Sequence, residues 1–209
     1  MRVLEQQVDV TLPSNAVRML IAQPFLEFQT PVQEPFALTP ASVQRLQDAI
    51  DNTFAKVAAY HPRFVLFPEF SVPGLAGVQR IAQHLASNAI LAPVVVVAGV
   101  SGLSKMEYTS LCAQANVAQI DQDNDPQRVQ QDQWVNAALT FVKDNVGAVT
   151  IWLQPKISPS WTEENVNHQQ MFPGGVVRIF RARFDSCRVP ISVSVVFRLG
   201  WARGRSRRH

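Results

Sequence analysis

The sequence predicts an α/β fold, and three observations carry the prediction. Short apolar runs stand at Val17–Ala22 (VRMLIA), Phe64–Phe67 (FVLF) and Val94–Val100 (VVVVAGV). Between them lie two stretches with apolar residues at intervals of three and four. Strand-like runs alternating with helical stripes are the pattern of a sheet covered by helices. Charged residues make up only 17% of the chain, against roughly 25% in an average soluble domain, which suits strands buried on both faces.

Each element has its own local reason. Val17–Ala22 is bounded by Asn15 and Pro24 and reads as a buried strand. A loop with Pro24, Pro31 and Pro35 follows. Thr39-Pro40 offers an N-cap with proline at the first helical position. Val43, Leu46, Ile50, Phe54 and Val57 then form one helical face reaching about Tyr60, where His61-Pro62 ends it. Phe64–Phe67 is a second strand, expected to stop at Pro68. Leu75, Val78, Ala82, Leu85 and Ala89 give a second helical stripe, and Val94–Val100 is a β-branched third strand. Beyond it, Gln119–Gln133 is polar and reads as an exposed loop or insertion. Val135–Val142, a turn at Asp144–Gly147 and Ala148–Leu153 read as a hairpin. Val176–Phe184 and Pro190–Phe197 are two further strand candidates.

A chain of 209 residues is long enough for one domain with a sizeable core. Its formal charge is +3, but Arg198, Arg203, Arg205, Arg207 and Arg208 crowd the last twelve positions. Without them 14 basic residues face 16 acidic ones. The body therefore has no basic excess, and nucleic acid is not an expected partner. Cys112 and Cys187 are too few for a disulfide framework or a zinc knuckle. Glu5 and Asp9 interrupt the place of a signal peptide. The longest apolar run, Leu91–Val100, is about half of the ~20 residues a membrane span needs. The expected setting is soluble, reducing and cytoplasmic, with no membrane partner. His61, His84 and His168 lack metal-ligand spacing and read as surface or satisfied polar residues.

Three residues are candidates for chemistry. Glu69 stands just after the buried strand FVLF and Pro68, and ligand sites in α/β sheets gather beyond the carboxyl ends of strands. A partly desolvated carboxylate there suits a general base; a loop acid, or a helix N-terminal acid favoured by the dipole, fits the same position. Lys156 follows a strand-like run, and taken alone it is a solvated charge. Glu164, taken alone, is a surface acid.

The fragment FVLFPEFSVPG, Phe64–Gly74, resembles the first signature of the nitrilase, or carbon–nitrogen hydrolase, superfamily. The likeness continues in order. Val17–Gln23 resembles that family's opening strand with its trailing glutamine, and VVVVAGV the strand after the second helix. Trp134-Val135-Asn136-Ala137-Ala138-Leu139 is similar to its Tyr-Asn-small-small motif. Gly147–Lys156 followed by Glu164 is similar to its Gly…Lys…Glu segment. The resemblance implies a nitrilase-like α-β-β-α sandwich. It divides the chain into an N-terminal extension (1–15), a hydrolase-like domain (16–197) and a basic disordered tail (198–209). It also implies hydrolysis of a non-peptide C–N bond in an amide or nitrile through a cysteine thioester-type intermediate, without metal or organic cofactor. Glu69 would carry protons, Lys156 would stabilise developing negative charge, and Glu164 would position them. The partners implied are a small amide- or nitrile-type substrate and, as an assembly, a homodimer.

The family's cysteine strand matches PISVSVVFR, Pro190–Arg198. Val196 occupies the cysteine position and Arg198 the aspartate position, while Cys187 falls nine residues too early. Valine offers no nucleophile, so the chain is expected to be inactive or impaired, with a sandwich incomplete at its C-terminus. Inserting one G before TGT TTC GAY (Cys-Phe-Asp) yields Val-Phe-Arg, the residues at 196–198, and would set an arbitrary reading frame downstream. The alternative expectation is a non-enzymatic dimerising or partner-binding module of the same fold. Cys112 reads as a packed small hydrophobe.

Overall fold

The computed structural model describes residues 2–13, 16–29, 36–115, 117, 120–160, 163, 170–184 and 192–193. A central five-stranded sheet organises them. Its strands are β2 (Met19–Ile21), β3 (Phe64–Val72), β4 (Val94–Val100), β7 (Ala137–Lys143) and β8 (Val149–Pro155), in that spatial order. The first three run parallel, and β7 and β8 complete the sheet antiparallel.

The parallel strands are connected by helices. α1 (Pro40–Tyr60) begins where Thr39 accepts a hydrogen bond from the Ser42 N–H, and it ends at His61 in the left-handed conformation. α2 (Gly74–Ala86) joins β3 to β4. A third helix, α3 (Lys105–Gln114), follows the short strand β5 (Leu103–Ser104). It buries Tyr108, Leu111, Cys112 and Ala115 along one face, and its start is fixed by a capping box between Ser104 and Glu107.

The central sheet is covered on both faces. Alternation along β4 sends Val94, Val96 and Ala98 one way and Val95 and Val97 the other. The first set joins Ile50, Phe54 and Val57 of α1, Val78, Ile81 and Leu85 of α2, and Leu111 of α3 in the larger core. The second set meets Val8, Val10 and Leu12 of β1 (Arg2–Leu12) and Phe180 and Ala182 of β10 (Val176–Phe184). β1 lies parallel to β10, which pairs antiparallel with β11 (Ser192–Val193). A small third sheet joins β5, β6 (Gln133–Val135) and β9 (Gln170–Met171). The architecture is mixed α/β with helices on one face of the main sheet and a second sheet on the other.

Three expectations need correction. Residues 2–12, set aside as part of an extension, form a strand that covers one face of the main sheet. β3 does not stop at Pro68 but runs to Val72 through an irregular stretch. The polar segment before Gln133 is not simply an exposed loop: it holds two turns of 3-10 helix, Gln122–Asn124 and Pro126–Arg128, and buries Asn124 and Val129. Asn124 is the reason, since its carbonyl accepts from the Tyr108 hydroxyl and its side chain accepts from the Gly175 N–H. Of the expected strand Pro190–Phe197, only 192–193 fall within the described residues, as does nothing of the tail at 198–209. Among the described residues, no helix is long and apolar enough to cross a membrane.

Candidate functional site

The irregularity in β3 creates the site. Phe67 pairs with Ala98, yet Val72 pairs with Val100, so residues 68–71 arch out opposite Gly99 alone. The arch crosses Gly99 at close range: a Cβ there would stand 2.5 Å from the Glu69 Cα and 2.6 Å from the Pro68 carbonyl oxygen. Glycine is required by that approach rather than by its dihedral angles. The Ser71 hydroxyl donates to the Pro68 carbonyl and closes the arch. Glu69 sits at its crest, at the carboxyl end of β3.

β7 and β8 deliver the next groups to the same edge of the sheet. Ala137 pairs with Pro155 at the end of their ladder, and one step beyond it the Lys156 N–H donates to the Asn136 carbonyl at 2.7 Å. The Lys156 carbonyl accepts from the Gly174 N–H at 2.8 Å, which fixes the strand end from the other side. Asn136 and Lys156 thus face Glu69 by consequence of sheet register.

The side chains form a closed ring of four. Lys156 Nζ donates to Glu69 Oε1 at 3.0 Å and to Glu163 Oε2 at 2.6 Å. Asn136 Nδ2 donates to Glu69 Oε1 and, at 2.7 Å, to Glu163 Oε1. Glu163 is held by Ser160, whose N–H donates to Glu163 Oε2 at 2.6 Å while its hydroxyl accepts from the Glu163 N–H at 3.4 Å. Of the four carboxylate oxygens, only Glu69 Oε2 has no hydrogen-bond partner among the described residues.

Burial separates the roles open to the two acids. The Glu163 side chain is 3% exposed, that of Glu69 21% and that of Lys156 17%. Burial by itself would raise the Glu163 carboxyl. The hydrogen bonds from Lys156, Ser160 and Asn136 outweigh it and hold the carboxyl below its ordinary range. Glu163 is therefore an anion that anchors the lysine, while Glu69 keeps one oxygen for solvent or a ligand. The two carboxylates and one ammonium leave the ring a net negative charge when all three are ionised. Asn136 tempers the repulsion by donating to both acids at once.

Glu69 and Lys156, the two groups singled out in the sequence, are brought into contact. Glu164 lies outside the described residues, as do Val196 and Cys187; the carboxylate found against Lys156 is that of Glu163. The sequence carried a signal for it, because Ser160-Trp161-Thr162-Glu163 has the Ser-x-x-Glu spacing of a capping box. Asn136 had only its place in the motif to mark it. Cys112 is packed in the larger core. Burial pushes its thiol up to about 11, so it supplies no thiolate near neutral pH. Among the described residues, no group of three or more side chains is arranged to hold a metal ion. No protein-family model, no curated protein and no solved structure matches this chain.

Proposed function

We propose that the ring of Glu69, Asn136, Lys156 and Glu163 is an amide-binding, carbon–nitrogen-hydrolase-like site on a nitrilase-like sandwich, impaired for turnover in this chain. One observation carries the reading: an accessible carboxylate and an ammonium meet at 3.0 Å at the carboxyl end of the sheet, with a buried second carboxylate holding the lysine. Hydrolysis of an amide through a thiol needs these parts. The thiol attacks the carbonyl carbon and a C–S bond forms. A carboxylate takes the thiol proton and passes it to the departing nitrogen as the C–N bond breaks, then takes a proton from the water that cleaves the C–S bond and returns it to the sulfur. An ammonium stabilises the negative charge that gathers on the carbonyl oxygen. Glu69, through its uncommitted Oε2, has the chemistry for the first role and Lys156 for the second. Val196 cannot provide the sulfur, so binding without turnover is the expected behaviour.

The test is titration of the full chain with acetamide and propionitrile, followed by NMR. Binding that disappears in Glu69→Gln and in Lys156→Met supports the reading. The absence of binding by both probes, or binding that both variants retain, overturns it. Introducing the thiol by Val196→Cys should then release ammonia from acetamide, and Glu69→Gln in that background should abolish the release.

A second reading, a non-enzymatic dimerising or partner-binding module, is favoured by one feature. Met19 and Ile21 of the edge strand β2 are each 54% exposed. They lie beside Phe64 and Leu66 in register, on the face that elsewhere packs against β1 and β10. Light scattering addresses it, with a monodisperse dimer as the favourable result and a monomer at micromolar concentration as the refuting one.

A further inference from the structure

Four aromatic side chains cluster on the segments that carry Glu69 and Asn136, and the hydrolytic parts do not use them. Phe70 follows Glu69 directly, and Trp134 precedes Asn136 by two positions on β6. Phe70 and Phe36 stack at 4.9 Å between ring centroids, and Phe36 lies 5.1 Å from Trp134. Phe28 meets both Phe36 and Phe70 edge-on at 5.6 Å.

Residues 27–29 and 36–39, between β2 and α1, are tied to each other where they deliver two of these rings. The Gln29 N–H donates to the Ala37 carbonyl and the Thr39 N–H to the Glu27 carbonyl. The Glu27 N–H donates to the Ser42 hydroxyl at the start of α1. Phe28 and Phe36 are therefore held over Phe70 and Trp134 by main-chain bonds.

Two features set this cluster apart from ordinary core packing. Phe36 and Phe70 both adopt left-handed backbone conformations, with φ of 53° and 61°. A bulky residue there carries strain, which persists only where surrounding structure enforces it and which gathers at ligand sites. Trp134 is 1% exposed and its indole N–H has no hydrogen-bond partner. Buried donors are rarely left so. Phe28, Phe36 and Phe70 are only half-buried, so apolar surface of the cluster remains accessible.

We infer that Phe28, Phe36 and Phe70, backed by the buried Trp134, form the specificity wall of the site and select amides with a flat, apolar acyl group, aromatic ones above all. The inference rests on the amide-site reading and names its substrate class. Apolar walls with a few convergent polar groups are the usual make-up of small-molecule sites. A planar acyl group adds ring-on-ring contact to its burial.

The probes are acetamide and benzamide, titrated by NMR into the full chain and its variants. Benzamide should bind about tenfold or more tighter than acetamide, as burial of a phenyl group implies. Phe70→Ala keeps the left-handed backbone strain and removes only the ring. It should bring the two affinities within about threefold of each other. Phe36→Leu, in the loop rather than in the sheet, should narrow the ratio in the same direction, with thermal melts confirming that both variants fold. A benzamide preference absent from the unaltered protein, or surviving both variants, overturns the wall. If the preference depends on Phe70 but binding does not depend on Glu69, the amide-site reading fails and the apolar wall stands.

Discussion

Replacing Lys156 by Met tests whether the ring is an electrostatic unit. Methionine keeps most of the lysine stem's packing and removes the ammonium. Glu163 then keeps its bonds from Ser160 and Asn136 but loses its cation, at 3% side-chain exposure. Exposed ion pairs are worth about 0–1 kcal/mol, whereas stripping the partner from a buried charge costs about 3–5 kcal/mol. The buried case applies, because Glu163 is nearly inaccessible and Lys156 mostly covered. At about 2–4 °C per kcal/mol for a chain of this size, Tm at pH 7 should fall by roughly 6–20 °C.

The pH dependence separates this account from simple loss of packing. In the unaltered protein the folded-state carboxyl of Glu163 is depressed below its unfolded value of 4.5. Its contribution is therefore present above that value and lost as pH falls through the folded one. In Lys156→Met burial acts without the cation, so the folded carboxyl moves up from its depressed position and the stability it contributes above the unfolded value shrinks. The stability gap between the two proteins should be widest at pH 7 and narrow toward pH 4. Urea titrations at both pH values measure it. An equal gap at pH 4 and pH 7, or a loss below about 1 kcal/mol at pH 7, refutes the reasoning.

Three further outcomes follow from other contacts. Gly99→Ala drives a Cβ to within 2.5 Å of the Glu69 backbone; about 1–3 kcal/mol of stability should be lost, and acetamide binding weakened, as read by thermal melting and NMR titration of the same variant. Ser104→Ala removes the capping box of α3 and should cost about 1 kcal/mol in urea denaturation, with amide binding unaffected. Cys112 should resist iodoacetamide at pH 8 in the folded protein and react once the chain is unfolded in urea, by mass mapping of its peptide, because burial pushes its thiol up to about 11.

The legible parts of the fold were those where local pattern and tertiary role agree. α1 spans Pro40–Tyr60, where the Thr39-Pro40 cap and the apolar stripe place it, and VVVVAGV is a strand buried on both faces. α3 is harder to read because its stripe, Tyr108, Leu111, Cys112 and Ala115, is short and weakly apolar, with the exposed Met106 out of phase; the Ser104–Glu107 box is the other signal. β1 was missed because its core-facing residues, Val8, Val10 and Leu12, alternate with polar ones at the very start of the chain, where an appendage was expected. The contact between Glu69 and Lys156 could not be read from spacing, since 87 positions separate them. It depends on the order of β3, β4, β7 and β8, which no local pattern contains.

That order explains why an arch in one strand and a glycine in its neighbour belong to a single device. A regular β3 would carry Glu69 along the sheet, paired with β4 and alternating between faces. The three-residue slip against β4 frees residues 68–71 from the ladder and lets the chain cross the sheet edge over Gly99. The turn costs strain at Phe70 and is closed by Ser71 on Pro68. It places the carboxylate where Asn136 and Lys156 emerge from the end of the β7–β8 ladder. Restoring the missing ladder contacts would relieve Phe70 and withdraw Glu69 from the lysine at the same stroke. The strain and the ring are thus two consequences of one register choice, and a variant that relaxes the first should dismantle the second.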